Sequence, residues 1–182
     1  PDAELEHLAL DLGDLESIRG AAERGNREAR LDGLINNAGI MMPPLERTAQ
    51  GFESQFGVNH LGPFALTALL LPVLMATQDA RVVNTSSVAH RGGNINFADI
   101  NAEQGYNRAR RYGQSKLANL LFSMELQRRL DAVDASAMSV ACHPGIADTE
   151  LSRHMPGILR LTAPLVSKFF NTSLQGAWPT LM

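Results

Sequence analysis

Stretches typical of β-strands and stretches typical of α-helices alternate along the chain, and this alternation restricts the folds it can adopt. Short runs rich in leucine or β-branched residues predict strands at residues 5–12, 31–36, 81–85 and 135–142. Longer stretches predict helices at residues 14–30, 48–75 and 108–130, and a helical remainder through Met182 with breaks near residues 156–157 and 164. Strands that are separated by helices pair in parallel. The sequence therefore predicts an α/β fold, with one parallel sheet covered by helices.

The composition agrees with one domain that buries a substantial core. The chain has 182 residues, of which 45% are hydrophobic, and we predict a single domain over residues 1–182. A net charge of -3 gives no electrostatic reason to expect a nucleic acid as partner. Cys142 is the single cysteine, which excludes an intramolecular disulfide and fits a reducing compartment.

A tyrosine and a lysine, Tyr112 and Lys116, stand four residues apart in the helix predicted at 108–130. Residues at this spacing share one helix face, and a nearby ammonium favours the ionised form of a phenol. The pair would therefore form a proton donor that works near neutral pH. Both residue types are scarce, since the chain has two tyrosines, and two lysines among its sixteen basic residues. An ordinary exposed helix lysine at position 116 is the simpler alternative.

Small and polar residues follow three of the predicted strands. They form the segments Asn36-Asn37-Ala38-Gly39, Asn84-Thr85-Ser86-Ser87 and His143-Pro144-Gly145-Ile146-Ala147-Asp148-Thr149. Ligands of open parallel sheets bind beyond the carboxyl ends of the strands, and small residues let a ligand approach the backbone. These segments and the Tyr112 helix therefore predict one cleft, although each turn alone is also consistent with a plain connection. The five histidines show no paired metal spacing, so we expect no metal site.

Taken together and in this order, the motifs resemble those of the short-chain dehydrogenase/reductase family. The matching residues are Asp11-Leu12, Asn36-Asn37-Ala38-Gly39, Val58-Asn59, Ser86-Ser87, Tyr112 with Lys116, and Pro144-Gly145 with Thr149. The residues around Asn59, Ser87 and Lys116, and the wide gap between Ser87 and Tyr112, are similar to the retinol dehydrogenase-like branch. We expect a long loop at 90–110 in this gap, which either shapes the substrate pocket or only covers the surface.

The resemblance implies four catalytic residues. Tyr112 would be the general acid in reduction and the general base in oxidation. Lys116 would lower the pKa of Tyr112 and hydrogen-bond the nicotinamide ribose. Ser87, with Ser86 as the alternative, would hold the substrate oxygen, and Asn59 would hold a water that connects Lys116 to solvent. Local roles remain open for the others: the serines could be turn residues, and Asn59 could bond within its helix.

The resemblance also implies a bound NAD(P), with NADP(H) favoured over NAD(H). Tyr112 and Lys116 would contact this cofactor as well as the substrate. The other residues implied to bind it are Asp11 and Leu12 at the adenine, Asn37, Ala38 and Gly39 on the adenosine side, and Pro144, Gly145, Ala147 and Thr149 beside the nicotinamide.

The glycine-rich phosphate turn of that family does not precede Asp11 in this sequence. In the family's strand order, the first two strands lie between the third and the fourth. We therefore expect an incomplete Rossmann-like doubly wound parallel sheet, which lacks its first two strands and its last strand. The chain would then be a piece of a longer enzyme, and we expect the isolated piece to fold poorly and to bind cofactor weakly.

The resemblance implies an oxidoreductase that transfers a hydride between NAD(P) and a small apolar alcohol or carbonyl substrate. A non-catalytic cofactor-binding regulatory protein on the same fold is the alternative, and a light-driven tetrapyrrole reductase would share the Tyr-Lys pair. Many relatives dimerise through the helices predicted at 48–75 and 108–130, which can equally cover the sheet, so a homo-oligomer and a monomer are both open. The longest strongly apolar stretch, residues 65–76, is too short to cross a bilayer. We expect a cytoplasmic protein, unless an anchor precedes Pro1.

Overall fold

The computed structural model describes residues 4–144 and 173–181. Its helices are α1 (Leu15–Gly25), α2 (Ser54–Phe56), α3 (Gly62–Ala76), α4 (Arg108–Asp131) and α5 (Ser173–Leu181). Its strands are β1 (Gly33–Asn36), β2 (Arg81–Thr85) and β3 (Met138–Cys142). A π-helical turn at Gly57–Leu61 joins α2 to α3, and short 3-10 helices lie at Val88–Gly92 and Phe97–Asp99.

The three strands form one parallel sheet in the order β1-β2-β3. Ile35 of β1 lies opposite Val83 of β2, which lies opposite Val140 of β3. The chain passes through α2 and α3 between β1 and β2, and through α4 between β2 and β3. Parallel neighbours require such crossovers. The predicted α/β fold is therefore confirmed, as a partial Rossmann-like sheet.

Helices α1, α3 and α4 pack on one face of this sheet. Ile18, Leu74 and Val82 are buried at the centre of the core that they share. Burying a side chain of this size contributes about 1.5–3 kcal/mol relative to leaving it in water. Ile35 of β1 and Val140 of β3 are instead 47% and 41% exposed. One covered and one partly open face is the arrangement expected of an incomplete doubly wound sheet.

The strand predicted at residues 5–12 is wrong. Residues 4–11 have no regular secondary structure, and Leu5, Leu8 and Leu10 are 94%, 47% and 40% exposed. A strand forms only with a hydrogen-bonded neighbour. In the described part of the chain, β1 pairs with β2 alone and offers no partner to this segment. Leu12 at its end is half-buried and packs against the core.

The helix predicted at residues 48–75 begins later than expected. An antiparallel bridge between Arg47 and Glu53 turns the chain before the helix starts. The carboxylate of Glu53 then caps α2, because it accepts hydrogen bonds from the backbone N–H groups of Gln55 and Phe56. The π-helical turn that follows holds Asn59, so the irregular part of this helix coincides with a predicted site residue.

The helical segment Ser54–Ala76 has 23 residues and is apolar enough to cross a membrane by length and composition. It is longer than the strongly apolar stretch 65–76 that the sequence indicates. Core helices of soluble proteins pass the same test, and Leu66, Leu70 and Leu74 of this segment are buried in the core. The segment is therefore weak evidence for a membrane span.

Candidate active site

Polar side chains of α4 are fixed across the carboxyl end of β2. Lys116 is buried, and its Nζ donates a hydrogen bond to the carbonyl oxygen of Thr85 at 3.1 Å. Asn119 donates to the same oxygen at 3.3 Å. Two side chains of one helix thus hold the end of one strand, which brings Lys116 to the edge where the sequence predicts a cleft.

Tyr112 and Lys116 lie together on one face of α4. The Nζ atom of Lys116 is 5.8 Å from the centroid of the Tyr112 ring, and both side chains are buried. Burial disfavours the charged ammonium and lowers the pKa of Lys116 from 10.5 to about 8, while Cys142 nearby opposes this change. With such a pKa, the ammonium form still predominates at pH 7.

Ser87 lies next to this pair, close enough for its hydroxyl to act on the pKa of Tyr112. Burial raises the pKa of Tyr112 above its ordinary value, and the Ser87 hydroxyl opposes this rise. The lowering that the sequence predicts from Lys116 is not found. With a pKa of about 8, Lys116 loses its charge before the phenol begins to ionise. Tyr112 is therefore a neutral phenol at pH 7, which is the form that can donate a proton.

The two adjacent serines point to different partners. The hydroxyl of Ser86 is buried and donates to the carbonyl oxygen of Lys116 at 2.8 Å. Ser87 is half-buried, and its hydroxyl accepts a hydrogen bond from the backbone N–H of Ala89 at 3.2 Å. Because Ser86 is committed to α4, Ser87 supplies the hydroxyl beside the Tyr112 phenol.

Asn59 is buried and joins the segment after β1 to α4. Its Oδ1 accepts from the backbone N–H of Ile40 at 2.7 Å, and its Nδ2 donates to the Ile40 carbonyl at 2.9 Å and to the Ser115 hydroxyl at 3.0 Å. A Cβ atom at Gly39 would lie 2.9 Å from this Oδ1 and 3.6 Å from the Nζ of Lys116. Gly39 therefore lies between Asn59 and Lys116, with no space for a side chain. The water expected between them stays a prediction.

Several residues implied to bind the cofactor are exposed, two directly after β1 and one in the segment before α1. Asn37 and Ala38 are exposed, and the Oδ1 of Asn37 accepts from the Thr85 hydroxyl at 3.4 Å. Asp11 is exposed as well, and its Oδ1 accepts from the backbone N–H of Gly13 at 2.7 Å. Small exposed residues beside a strand end fit the close backbone approach of a dinucleotide.

The remaining predicted residues divide into two groups. Leu12 packs in the core, and Pro144 is half-buried after β3. Gly145, Ala147 and Thr149 lie outside the described residues. Among residues 4–144 and 173–181, no group of three His, Cys, Asp or Glu side chains is placed to hold a metal ion.

Sequence reasoning missed two buried polar residues beside the site, Gln55 and Arg111. Arg111 forms a buried ion pair with Asp99 at 2.7 Å and donates to the carbonyl oxygens of Asp99 and Ile100. It thereby holds the loop that leads into α4. Their positions were the one sequence feature that could have indicated them: Arg111 directly precedes Tyr112, and Gln55 lies one helical turn before Asn59.

Comparison with known proteins shows a consistent set of relatives. A family model described as short chain dehydrogenase matches residues 2–156. Mouse retinol dehydrogenase 14 is 47% identical over 180 residues, which cover 97% of this chain and 53% of that protein. A crystal structure of an uncharacterised Mycobacterium paratuberculosis protein is 50% identical, with a TM-score of 0.69, over 80% of this chain and 52% of that one.

The crystal structure of NADPH-bound carbonyl reductase from chicken fatty liver is similar at lower identity. It is 26% identical, with a TM-score of 0.58, over 79% of this chain and 59% of that one. The chain spans about half the length of the curated relatives it matches.

Proposed function

Since this chain belongs to the short chain dehydrogenase family, we propose that the whole protein is an oxidoreductase that transfers a hydride between NADP(H) and an alcohol or carbonyl compound. The observation that carries this proposal is the meeting of Ser87, Tyr112 and Lys116 at the end of β2. The NADPH named for the chicken carbonyl reductase supports NADP(H) as the cofactor.

The proton chemistry is assigned to Tyr112. When bound, the nicotinamide supplies the hydride in reduction and accepts it in oxidation. Tyr112 donates its phenolic proton to the substrate oxygen during reduction and takes a proton back during oxidation. Ser87 adjoins the phenol and would orient the same oxygen. Two donors aimed at one oxygen stabilise the negative charge that develops there.

Lys116 has two tasks in this proposal. Its ammonium uses one donor on the Thr85 carbonyl, so further donors are available for a ribose hydroxyl. Its positive charge, 5.8 Å from the centre of the Tyr112 ring, stabilises the phenolate that remains after proton transfer. Asn59 helps to hold α4, which carries Tyr112 and Lys116, because it hydrogen-bonds both Ile40 and Ser115 of α4.

We further propose that the substrate is an apolar alcohol or the matching carbonyl compound. The resemblance to mouse retinol dehydrogenase 14, a protein named for an apolar alcohol, supports this class. A cytoplasmic location is proposed only from the single cysteine, which fits a reducing compartment, and association with a second copy stays open.

The test is an assay of the whole protein with NADPH or NADH and a panel of aldehydes of increasing chain length, including retinal. We expect NADPH consumption with formation of the matching alcohol, and faster turnover of the apolar aldehydes. Binding of NADPH without turnover of any aldehyde would instead support a non-catalytic regulatory protein. Absence of both binding and turnover would remove the proposal.

A further inference from the structure

A fully buried glutamine lies next to the site and takes part in none of the steps above. Gln55 of α2 is 0% exposed. Its Oε1 accepts from the backbone N–H of Met42 at 2.9 Å, and its Nε2 donates to the hydroxyl of Tyr106 at 3.0 Å and to the carbonyl of Arg108 at 3.1 Å. One side chain thus joins two segments that are distant from each other in sequence, one at Met42 and one at residues 106–108.

The first segment, residues 40–43, is the cofactor side of the cleft, next to Gly39 and Lys116. Met42 has a φ of 53°, in the left-handed region that costs a non-glycine residue about 1–2 kcal/mol. Such a conformation persists only where neighbours hold it. Gln55 holds the N–H of Met42, and Asn59, four residues later, holds both backbone groups of Ile40. The side-chain amides of Gln55 and Asn59, one helical turn apart, therefore both hydrogen-bond the backbone of residues 40–42.

The second segment is the loop at residues 93–107, which connects the Ser87 side of the cleft to the helix of Tyr112. Its last aromatic residue, Tyr106, accepts from Gln55 and donates to the carbonyl oxygen of Pro43 at 3.0 Å. Burial, and then the charge of Glu53, raise the pKa of Tyr106, so the phenol keeps the proton that this bond requires. The loop is thereby bonded to the cofactor-side segment directly and through Gln55.

The two amides form parallel connections across the cleft. Asn59 links Ile40 to Ser115 in the second turn of α4, while Gln55 links Met42 to Arg108 at the start of α4. A single connection would let α4 pivot against residues 40–43. Two connections, at positions 108 and 115, fix its direction as well as its distance.

We propose that Gln55 and Tyr106 are positioning residues that set the spacing between the cofactor-side segment 40–43 and the substrate-side loop 93–107. The proposal rests on the proposed function, because it assigns these two walls to the same reaction. Loss of the connection leaves Tyr112 on α4 with Lys116 and Ser87, so the proton donor remains. The same loss makes segment 40–43 and loop 93–107 more mobile relative to each other, so we expect substrate binding to weaken more than the chemical step slows.

The test uses the whole protein with Tyr106→Phe, which removes one hydroxyl and keeps the ring, and Gln55→Glu, which keeps an acceptor for Met42 and removes both donated bonds. Gln104→Glu, at an exposed position of the same loop, is the matched control. Tyr106→Phe loses the hydrogen bonds with Gln55 and Pro43, so we expect it to raise the KM for the aldehyde about fivefold, with kcat changed less than about twofold. Gln104→Glu should change neither constant.

Amide hydrogen exchange supplies a readout that does not depend on turnover. We expect Tyr106→Phe to speed exchange in both peptides, residues 39–44 and residues 103–109, with only a modest fall in the melting temperature. Faster exchange confined to residues 103–109, or an unchanged KM, would overturn the proposal even if Gln55→Glu does not fold. A wild-type protein that turns over no aldehyde would refute the proposed function, while the exchange result would still decide whether the two walls are coupled.

Discussion

The ammonium nitrogen of Lys116 lies 5.8 Å from the centre of the Tyr112 ring, and both groups are buried against the end of β2. Burying an ammonium disfavours its charge, which is why the pKa of Lys116 falls to about 8. The buried ammonium of Lys116 therefore lowers the free energy of unfolding at neutral pH. The proposed role of Lys116 can be tested by measuring stability as well as turnover.

Replacing this lysine should stabilise the protein while it abolishes activity. A pKa lowered from 10.5 to about 8 corresponds to about 3 kcal/mol against the charged form. In the unfolded chain Lys116 stays protonated up to about pH 10.5, whereas in the folded protein it loses its proton above about pH 8. Between these two pH values the unfolded state binds more protons, so the free energy of unfolding rises with pH. Lys116→Met, which also loses the bond to Thr85, should gain about 2 kcal/mol at pH 7.

Thermal unfolding of both proteins between pH 7 and pH 10.5 checks this prediction. The advantage of Lys116→Met should stay nearly constant up to about pH 8, then shrink as the pH rises further, and disappear near pH 10.5. A variant that is less stable at pH 7, or an advantage that does not depend on pH, would show that the burial cost is misassigned.

The two serines offer a matched pair of alanine variants. Ser87→Ala removes the hydroxyl beside the Tyr112 phenol, so we expect kcat/KM to fall about 100-fold or more with little change in melting temperature. Ser86→Ala removes the bond to the Lys116 carbonyl, so we expect a loss of about 1 kcal/mol in stability and a smaller effect on turnover. Steady-state kinetics and thermal unfolding separate the two; the opposite pattern would assign the substrate oxygen to Ser86.

Two glycines should respond to alanine in opposite ways. An added Cβ at Gly39 would lie 2.9 Å from the Asn59 Oδ1, which is held in place by the N–H of Ile40. We expect Gly39→Ala to destabilise the protein by about 1–3 kcal/mol and to weaken NADPH binding. Gly20 in α1 meets nothing within 4 Å, so Gly20→Ala should stabilise by about 0.5–1 kcal/mol and leave NADPH binding unchanged. Unchanged NADPH affinity in Gly39→Ala would remove this segment from the cofactor site.

A homodimer through α3 and α4 is one of the two states that the sequence leaves open, and the exposed surface of these helices favours it. Phe64, Leu121 and Met124 are exposed on these helices, and the rings of Phe64 and Phe122 are in contact at 5.2 Å. Exposed apolar patches often mark contact surfaces. We expect the whole protein to sediment as a dimer, and Met124→Glu to sediment as a monomer with normal NADPH binding. A wild-type monomer at the same concentration would contradict the prediction.

The sequence predicts the regular elements well where local pattern and tertiary contacts agree. The β-branched run at 81–85 and the helix at 108–130 appear almost at their predicted bounds, as β2 and α4. The strand predicted at 5–12 fails because the alternation of leucines says nothing about whether a neighbouring strand is present. Parallel pairing is a non-local property, and β1 pairs with β2 alone among the described residues.

The candidate site shows the same division. The four-residue spacing of Tyr112 and Lys116 was sufficient to place them on one helix face. Pattern alone could not choose between Ser86 and Ser87, because that choice depends on how α4 packs against the end of β2. The direction of the Tyr112 pKa shift also required the structure, since burial raises this pKa more than the Ser87 hydroxyl lowers it. The role of Gln55 could not be predicted from local pattern, because its hydrogen-bond partners are 13 and 51 residues away in the sequence.

Single-turnover hydride transfer by Tyr112→Phe in the whole protein tests the central claim most directly. With NADPH and an aldehyde that the wild-type protein reduces, we expect the rate of NADPH oxidation to fall about 1,000-fold while NADPH affinity stays within about threefold. Such a result would identify the phenol as the proton donor. A variant that oxidises NADPH at the wild-type rate would contradict the account.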